Sequence, residues 1–257
     1  MVARPLLVII GPTASGKSAL AMELAIKLDG EIICADSRTV YKGMNIGTAK
    51  PSNNDQKRVP HHLLDVVEPD QDFTVADFKR LAVESIEDIS RRGKLPIMVG
   101  GSGLYIDAVL YDYKFSVVGA ARDEQNSRHL SKAEPSKRSK LRPYTLVIGL
   151  EVARDTLKER ISDRVEQMVA AGFIEETRQL QADYPISKAL LSTSYKAFLE
   201  YINGRVILEE AKALFIRNDC QLAKRQMTWF KRNPSIHWLK RPSRYVEETT
   251  TLLNKLQ

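Results

Sequence analysis

A chain of 257 residues, 43% of them hydrophobic, is long enough to bury a substantial core as one α/β domain with an appendage. Its 39 Lys and Arg against 32 Asp and Glu give a net charge of +7, which admits a polyanionic partner. Two widely separated cysteines, Cys34 and Cys220, exclude a disulfide framework, and no apolar run approaches the roughly 20 residues that cross a bilayer, so a cytoplasmic protein is expected.

The opening MVARPLLVII runs directly into residues 11–18 and leaves no room for a signal peptide. In LLVIIGPTASGKSAL an apolar strand, Leu6–Ile10, meets the pattern G-x-x-x-x-G-K-[ST] through Gly11, Gly16, Lys17 and Ser18. The glycines let the backbone curl so that the N–H groups of Thr13, Ala14, Ser15, Gly16, Lys17 and Ser18 converge on a phosphate. Lys17 adds a point charge and Ser18 a hydroxyl for Mg²⁺. A helical pattern follows at Ala19, Leu20, Met22, Leu24, Ala25 and Leu28.

The second strand, Glu31–Ala35, ends in EIICADSRTVY. Asp36 therefore stands at the carboxyl end of a core strand beside the phosphate loop, where a general base belongs; the alternative is an N-cap for the next turn. His61 and His62 are adjacent, with no other His or Cys near to complete a metal site, and read as structural. Val75, Phe78, Leu81, Ala82, Ile86 and Ile89 mark a second helix before the third strand, Leu95–Val99. A nucleoside-triphosphate enzyme would end such a strand in a carboxylate that helps hold Mg²⁺. Here Gly100, Gly101, Ser102 and Gly103 follow, offering close backbone approach and one hydroxyl.

Residues 114–142 are polar and basic and read as a connection before a fourth strand, Tyr144–Leu150. Strands alternating with helices predict a parallel sheet covered on both faces, with ligands at the carboxyl ends of the strands. The rest reads as helical. Leu157, Ile161, Val165, Met168 and Val169 form one stripe, with Arg160 and Arg164 a turn apart, and residues 206–232 make a second long helix or a pair. The segment RNDCQLAKRQMTWFKR interleaves Arg217, Lys224, Arg225, Lys231 and Arg232 with Trp229 and Phe230, which suits phosphate contacts and base stacking. Core aromatics with solvated charges would give the same pattern.

GPTASGKS, DSRTVYKGMNIGTAKP, VPHHLLDVVEP, FTVADFKRLA, LPIMVGGSGLYIDAV and LAKRQMTWFKR, in that order, resemble the tRNA dimethylallyltransferase family. The resemblance covers residues 5–112 and roughly 144–240. It implies a P-loop NTPase-like fold: core residues 1–113, a shortened insert 114–143 at the position of the family's tRNA clamp, and core completion with C-terminal helices over 144–257. It also implies a monomer that transfers a dimethylallyl group from dimethylallyl diphosphate to N6 of adenosine 37, in tRNAs reading codons that begin with U. The phosphate loop, with Arg160 and Arg164, would then grip a prenyl diphosphate, with Mg²⁺ held in part by Ser18. Asp36 would take the proton from the adenine amine, and Ser102 would orient the amine or a phosphate oxygen. Asp36, Ser37, Arg38, Thr39, Lys224, Arg225, Gln226, Thr228 and Lys231 would face the tRNA anticodon stem-loop.

The chain departs from the family pattern at Thr39, where glutamine is usual, at Ser194, where glycine is usual, and at Cys220, where arginine is common. The family's helical insert with its Q-R-x-x-R motif has only the polar stretch 114–142 in its place. Isopentenyl transfer to a free adenine nucleotide, a small-molecule P-loop kinase with 114–142 as its lid, and a non-enzymatic RNA-binding paralogue are the competing readings.

Overall fold

The computed structural model describes residues 4–115 and 141–256. Six strands, β1 (Leu6–Ile10), β2 (Gly30–Ala35), β3 (His61–His62), β4 (Leu95–Gly100), β5 (Thr145–Leu150) and β6 (Ile236–Leu239), form one sheet in the order β3-β2-β4-β1-β5-β6. Every pairing is parallel. β1, β2, β4 and β5 are buried at every position, which is why each is a continuous apolar run rather than an alternating one.

Helices cover both faces. α1 (Lys17–Leu28) and α9 (Tyr245–Asn254) pack Leu20, Leu24, Tyr245 and Leu253 against Leu7, Ile9 and Ile97. On the other face α3 (Val75–Arg91) and α4 (Gly103–Leu110) set Phe78, Ile86 and Ile106 against Leu6, Val8 and Met98. A capping box starts α3: the Thr74 side chain accepts the Asp77 N–H, and Asp77 accepts the Thr74 N–H in return. α2 (Asn53–Arg58) is a short surface helix with no buried residue.

α5 (Arg154–Ala170), α6 (Phe173–Asp183), α7 (Thr193–Ile202) and α8 (Leu208–Phe230) form a helical lobe with its own core. Phe173 is its centre, with ring centroids of Phe198 and Tyr195 at 4.8 and 5.0 Å. The segment expected as one long helix or a pair is one helix of 23 residues, because no Gly or Pro interrupts Leu208–Phe230.

The sequence reading missed β3 and β6. Both are short edge strands, and β6 buries only its two ends, so neither carries a periodic signal. His62 Nε2 lies 2.8 Å from Glu31 Oε2, and His61 Nδ1 lies 2.8 Å from the Val59 carbonyl oxygen, so both rings have partners within the fold. Glu31, 2% exposed at the start of β2, also accepts from both terminal nitrogens of Arg92, and this holds its carboxyl at about 2. Of the expected connection, residues 116–140 lie outside the described residues. The Arg142 N–H donates to the Leu110 carbonyl at 2.8 Å, so the chain leaves and rejoins the fold beside the end of α4.

Candidate active site

The phosphate loop spans the turn from β1 to α1. Two of its N–H groups, expected to face a phosphate, are engaged within the protein. Ser15 N–H donates to the Pro12 carbonyl at 3.2 Å, and Thr13 N–H donates to Gln226 Oε1 at 2.8 Å. Both donors are thus engaged within the protein, while the N–H groups of Gly16, Lys17 and Ser18 lie at the positive end of α1. Lys17 Nζ and Arg160 Nη1 rest on loop carbonyls, Pro12 at 3.3 Å and Ala14 at 3.4 Å.

Around the loop lies a cavity of about 840 Å³, lined by residues 13–18 with Met22, Cys34, Asp36, Thr39 and Arg164 among others. Burial lowers Lys17 to about 8; Asp36 opposes the shift and Arg164 adds to it. The Thr39 hydroxyl is buried on this side without a partner.

A second cavity of about 500 Å³ opens beyond it, lined by Ser37, Arg38, Ser102, Tyr105, Arg225, Gln226 and Trp229 among others. Thr13, Asp36, Thr48, Ala49 and Arg164 line both cavities and so form their common throat. Asp36 Oδ1 accepts the Arg38 N–H at 2.8 Å, so this carboxylate closes a turn as well as facing both spaces. Ser102 Oγ accepts the Ser37 N–H at 3.0 Å, which leaves the hydroxyl hydrogen to donate. Gln226 is a strut: besides Thr13, its amide nitrogen donates to the Gly101 carbonyl at 3.1 Å, tying α8 to both strand-end loops.

Three functional features escaped the sequence reading. Asp219, 6% exposed on α8, accepts a short hydrogen bond from Arg164, whose Nε is buried with no partner. Burial pushes the Asp219 carboxyl up while Arg164 pulls it down. Glu176, on α6, accepts the N–H groups of Asn45, Ile46 and Gly47 at 3.0, 2.7 and 3.0 Å and the Tyr195 hydroxyl at 2.6 Å. It thereby staples the loop that carries Thr48 and Ala49 to the throat. Only glycine fits at position 47, where a Cβ would lie 2.1 Å from the Phe173 ring. The third feature is Asp107, which accepts from Trp229 Nε1 at 2.8 Å; burial raises its carboxyl to about 6, against that bond. In sequence these acids look like ordinary surface charges of helices.

The expected basic segment divides. Arg225 and Gln226 line the second cavity, while Lys224, Thr228 and Lys231 are exposed elsewhere on α8 or just beyond it, with Lys231 3.5 Å from Glu151. The two aromatics divide as well. Phe230 is core at 2% exposure, and Trp229 is open at the cavity wall with the Arg232 guanidinium 5.9 Å from its centroid.

A glycine-rich phosphate loop leading from a central parallel strand into a helix, in a sheet flanked on both faces, defines a P-loop protein. The family model described as IPP transferase matches residues 39–134 and 122–233, and the chain belongs to the IPP transferase family. It is 38% identical to a tRNA dimethylallyltransferase of Pelotomaculum thermopropionicum, with 92% of this chain and 90% of that protein covered. It is 39% identical to one of Geobacter metallireducens, with 96% of each covered. Among solved structures, a tRNA isopentenylpyrophosphate transferase of Bacillus halodurans superposes with a TM-score of 0.85 at 33% identity, covering 98% of this chain and 96% of that one. A eukaryotic dimethylallyltransferase described as acting on tRNA gives 0.79 at 25% identity, covering 92% and 74%.

Proposed function

We propose that this chain transfers the dimethylallyl group of dimethylallyl diphosphate to N6 of adenosine 37 in tRNAs reading codons that begin with U, releasing diphosphate. The observation that carries the reading is the throat. Asp36 faces both cavities, so an allylic donor on the phosphate-loop side and an extruded purine on the other would meet at one carboxylate. The relatives named tRNA dimethylallyltransferase support the same reaction.

In this reaction the allylic C–O bond breaks and its electron pair stays with the diphosphate. The N–H groups of Gly16, Lys17 and Ser18, the Lys17 ammonium, and Arg160 and Arg164 stabilise that developing charge. The lone pair of N6 forms the new C–N bond, and Asp36 takes the proton that N6 releases. Ser102 donates its hydroxyl hydrogen to a neighbouring oxygen, with its orientation fixed by the Ser37 N–H. Unstacking the purine costs a few kcal/mol, which contacts along the second cavity offset. In that cavity Trp229 offers a stacking face, Arg38 and Arg225 offer charge, and Ser37 and Gln226 offer polar edges, while Lys224, Thr228 and Lys231, exposed elsewhere on α8 or just beyond it, and Thr39, on the phosphate-loop side, would meet the RNA outside it.

The donor set suits Mg²⁺. The exposed Ser18 hydroxyl is a hard oxygen ligand on the phosphate-loop cavity and would hold the ion in part. Among the described residues no group of three His, Cys, Asp or Glu could hold a metal alone, so diphosphate oxygens would complete the shell. A bound Mg²⁺ supplies charge neutralisation of the diphosphate.

The partner is the anticodon stem-loop, held by a monomer of this chain with α8 as the main basic surface. Among the described residues no helix is long and apolar enough to cross a membrane, in keeping with a cytoplasmic enzyme. The test is to incubate the purified protein with labelled donor and either AMP or a tRNA carrying adenosines at positions 36 to 38. Label in the tRNA is expected. Label confined to AMP overturns the choice of acceptor, and transfer of the γ-phosphate of ATP to a small molecule overturns the reaction.

A further inference from the structure

Ser192 occupies the N-cap of α7, where a serine hydroxyl oxygen ordinarily accepts an N–H of the first helical turn and stabilises the helix. Ser192 makes no such bond. Its Oγ is buried with no hydrogen-bond partner, the residue is only 7% exposed, and it lines the second cavity. Ser194, 9% exposed, lines the same wall, so the amino end of α7 faces this space. Two unfavourable choices thus coincide at one residue, a forgone cap and a buried hydroxyl without a partner, which keeps its desolvation cost uncompensated. A ligand oxygen that accepted from Ser192 would remove the second cost and compensate for the first.

The charge around this wall identifies the ligand. A helix amino end carries partial positive charge and N–H groups that point outward, which favours an anion. Arg38 and Arg225 line the same cavity. Its two carboxylates are engaged within the protein: Asp36, at the throat, accepts the Arg38 N–H, and Asp219 is paired with Arg164. We propose that the amino end of α7 with the Ser192 hydroxyl is a subsite for a phosphate of the RNA backbone next to the target adenosine. This rests on the reading that RNA enters the second cavity.

Binding is measured directly, without turnover, on an anticodon stem-loop RNA and on two RNAs in which a neutral methylphosphonate replaces the phosphate on one side of the target adenosine. Ser192→Ala is expected to weaken binding of the unmodified RNA about tenfold. On one of the methylphosphonate RNAs the variant and the parent should bind alike. The melting temperature should hold or rise, since the substitution deletes an unpartnered buried hydroxyl, and donor affinity should not change. Equal RNA affinity of variant and parent would overturn the subsite, as would a penalty that persists undiminished on both modified RNAs. Failure of the parent chain to prefer the stem-loop over a plain duplex would instead overturn the RNA reading, a distinguishable result.

Discussion

The two cavities share a throat but are built in opposite ways. The donor side is organised by one turn of chain, residues 13–18, whose backbone donors are placed by the strand before it and the helix after it. The second cavity is assembled from six separated stretches, at Thr13 and near residues 36–49, 101–105, 164–168, 192–194 and 215–229. A backbone-built site tolerates side-chain drift around it. A site assembled from side chains depends on struts such as Gln226 and Glu176, whose bonds to neighbouring loops decide where the wall stands. The two sides should therefore answer differently to substitution.

The largest effect belongs to the throat, where the comparison ought to fail. Asp36→Ala should lower kcat by roughly 10²–10⁴ with donor KM and RNA Kd within about twofold. Asp36→Asn sharpens the test, because an amide oxygen still accepts the Arg38 N–H but takes no proton from the amine. Full activity in the Asn variant would reduce Asp36 to the turn-closing residue that its bond to Arg38 also describes.

Lys17→Ala comes next and should act on the donor side alone, costing about 100-fold in kcat/KM for the donor and leaving RNA Kd unchanged. Burial has moved Lys17 down to about 8, so it is charged below that pH and loses its charge above it. In the parent chain kcat/KM for the donor should be level below about pH 8 and fall as pH rises through it. An inflection near the ordinary lysine value of 10.5 would show that the burial is not felt in solution.

Asp219→Ala tests whether the sides can be uncoupled at all. It leaves Arg164, a half-buried lining residue of both cavities, without its carboxylate, at a cost of about 1–3 kcal/mol in folding stability. Donor KM and RNA Kd should rise together. A change in one alone would place Arg164 functionally on that side.

The difference in construction also explains how much could be read in the sequence. The phosphate loop, four of the six strands and the position of Asp36 were legible, because each depends on neighbours in the chain: a glycine pattern, an apolar run, a residue at a strand end. The acids at 107, 176 and 219 were not. Each sits on a helix among other charges, and only the fold shows Glu176 under three backbone N–H groups or Asp219 against Arg164. The engagement of the Thr13 N–H by a side chain 213 residues away was beyond any local pattern. The functional assignments on the second side came from the ordered family motifs, which carry tertiary information that spacing alone does not.

The smallest effect concerns the outer wall and isolates it from everything else. A Cβ at Gly103 would lie 2.4 Å from Trp229 Cδ1 and 2.6 Å from its Nε1, so Gly103→Ala must push the indole off its seat. Position 103 is the first residue of α4, where alanine is intrinsically favoured over glycine by up to about 1 kcal/mol, so stability should change little. If Trp229 is a stacking face, RNA affinity should fall several-fold, within the roughly 1–3 kcal/mol attributed to stacking one base, and donor KM should not move. The displaced indole also releases Asp107. Burial holds that carboxyl at about 6 against the indole hydrogen bond, and moving the indole alters both, so the Asp107 titration should shift, which NMR of the side chain would follow. A shifted Asp107 titration with RNA affinity intact would show that the indole moved and was not needed, which would confine the RNA site to the inner residues around Asp36, Ser102 and Ser192.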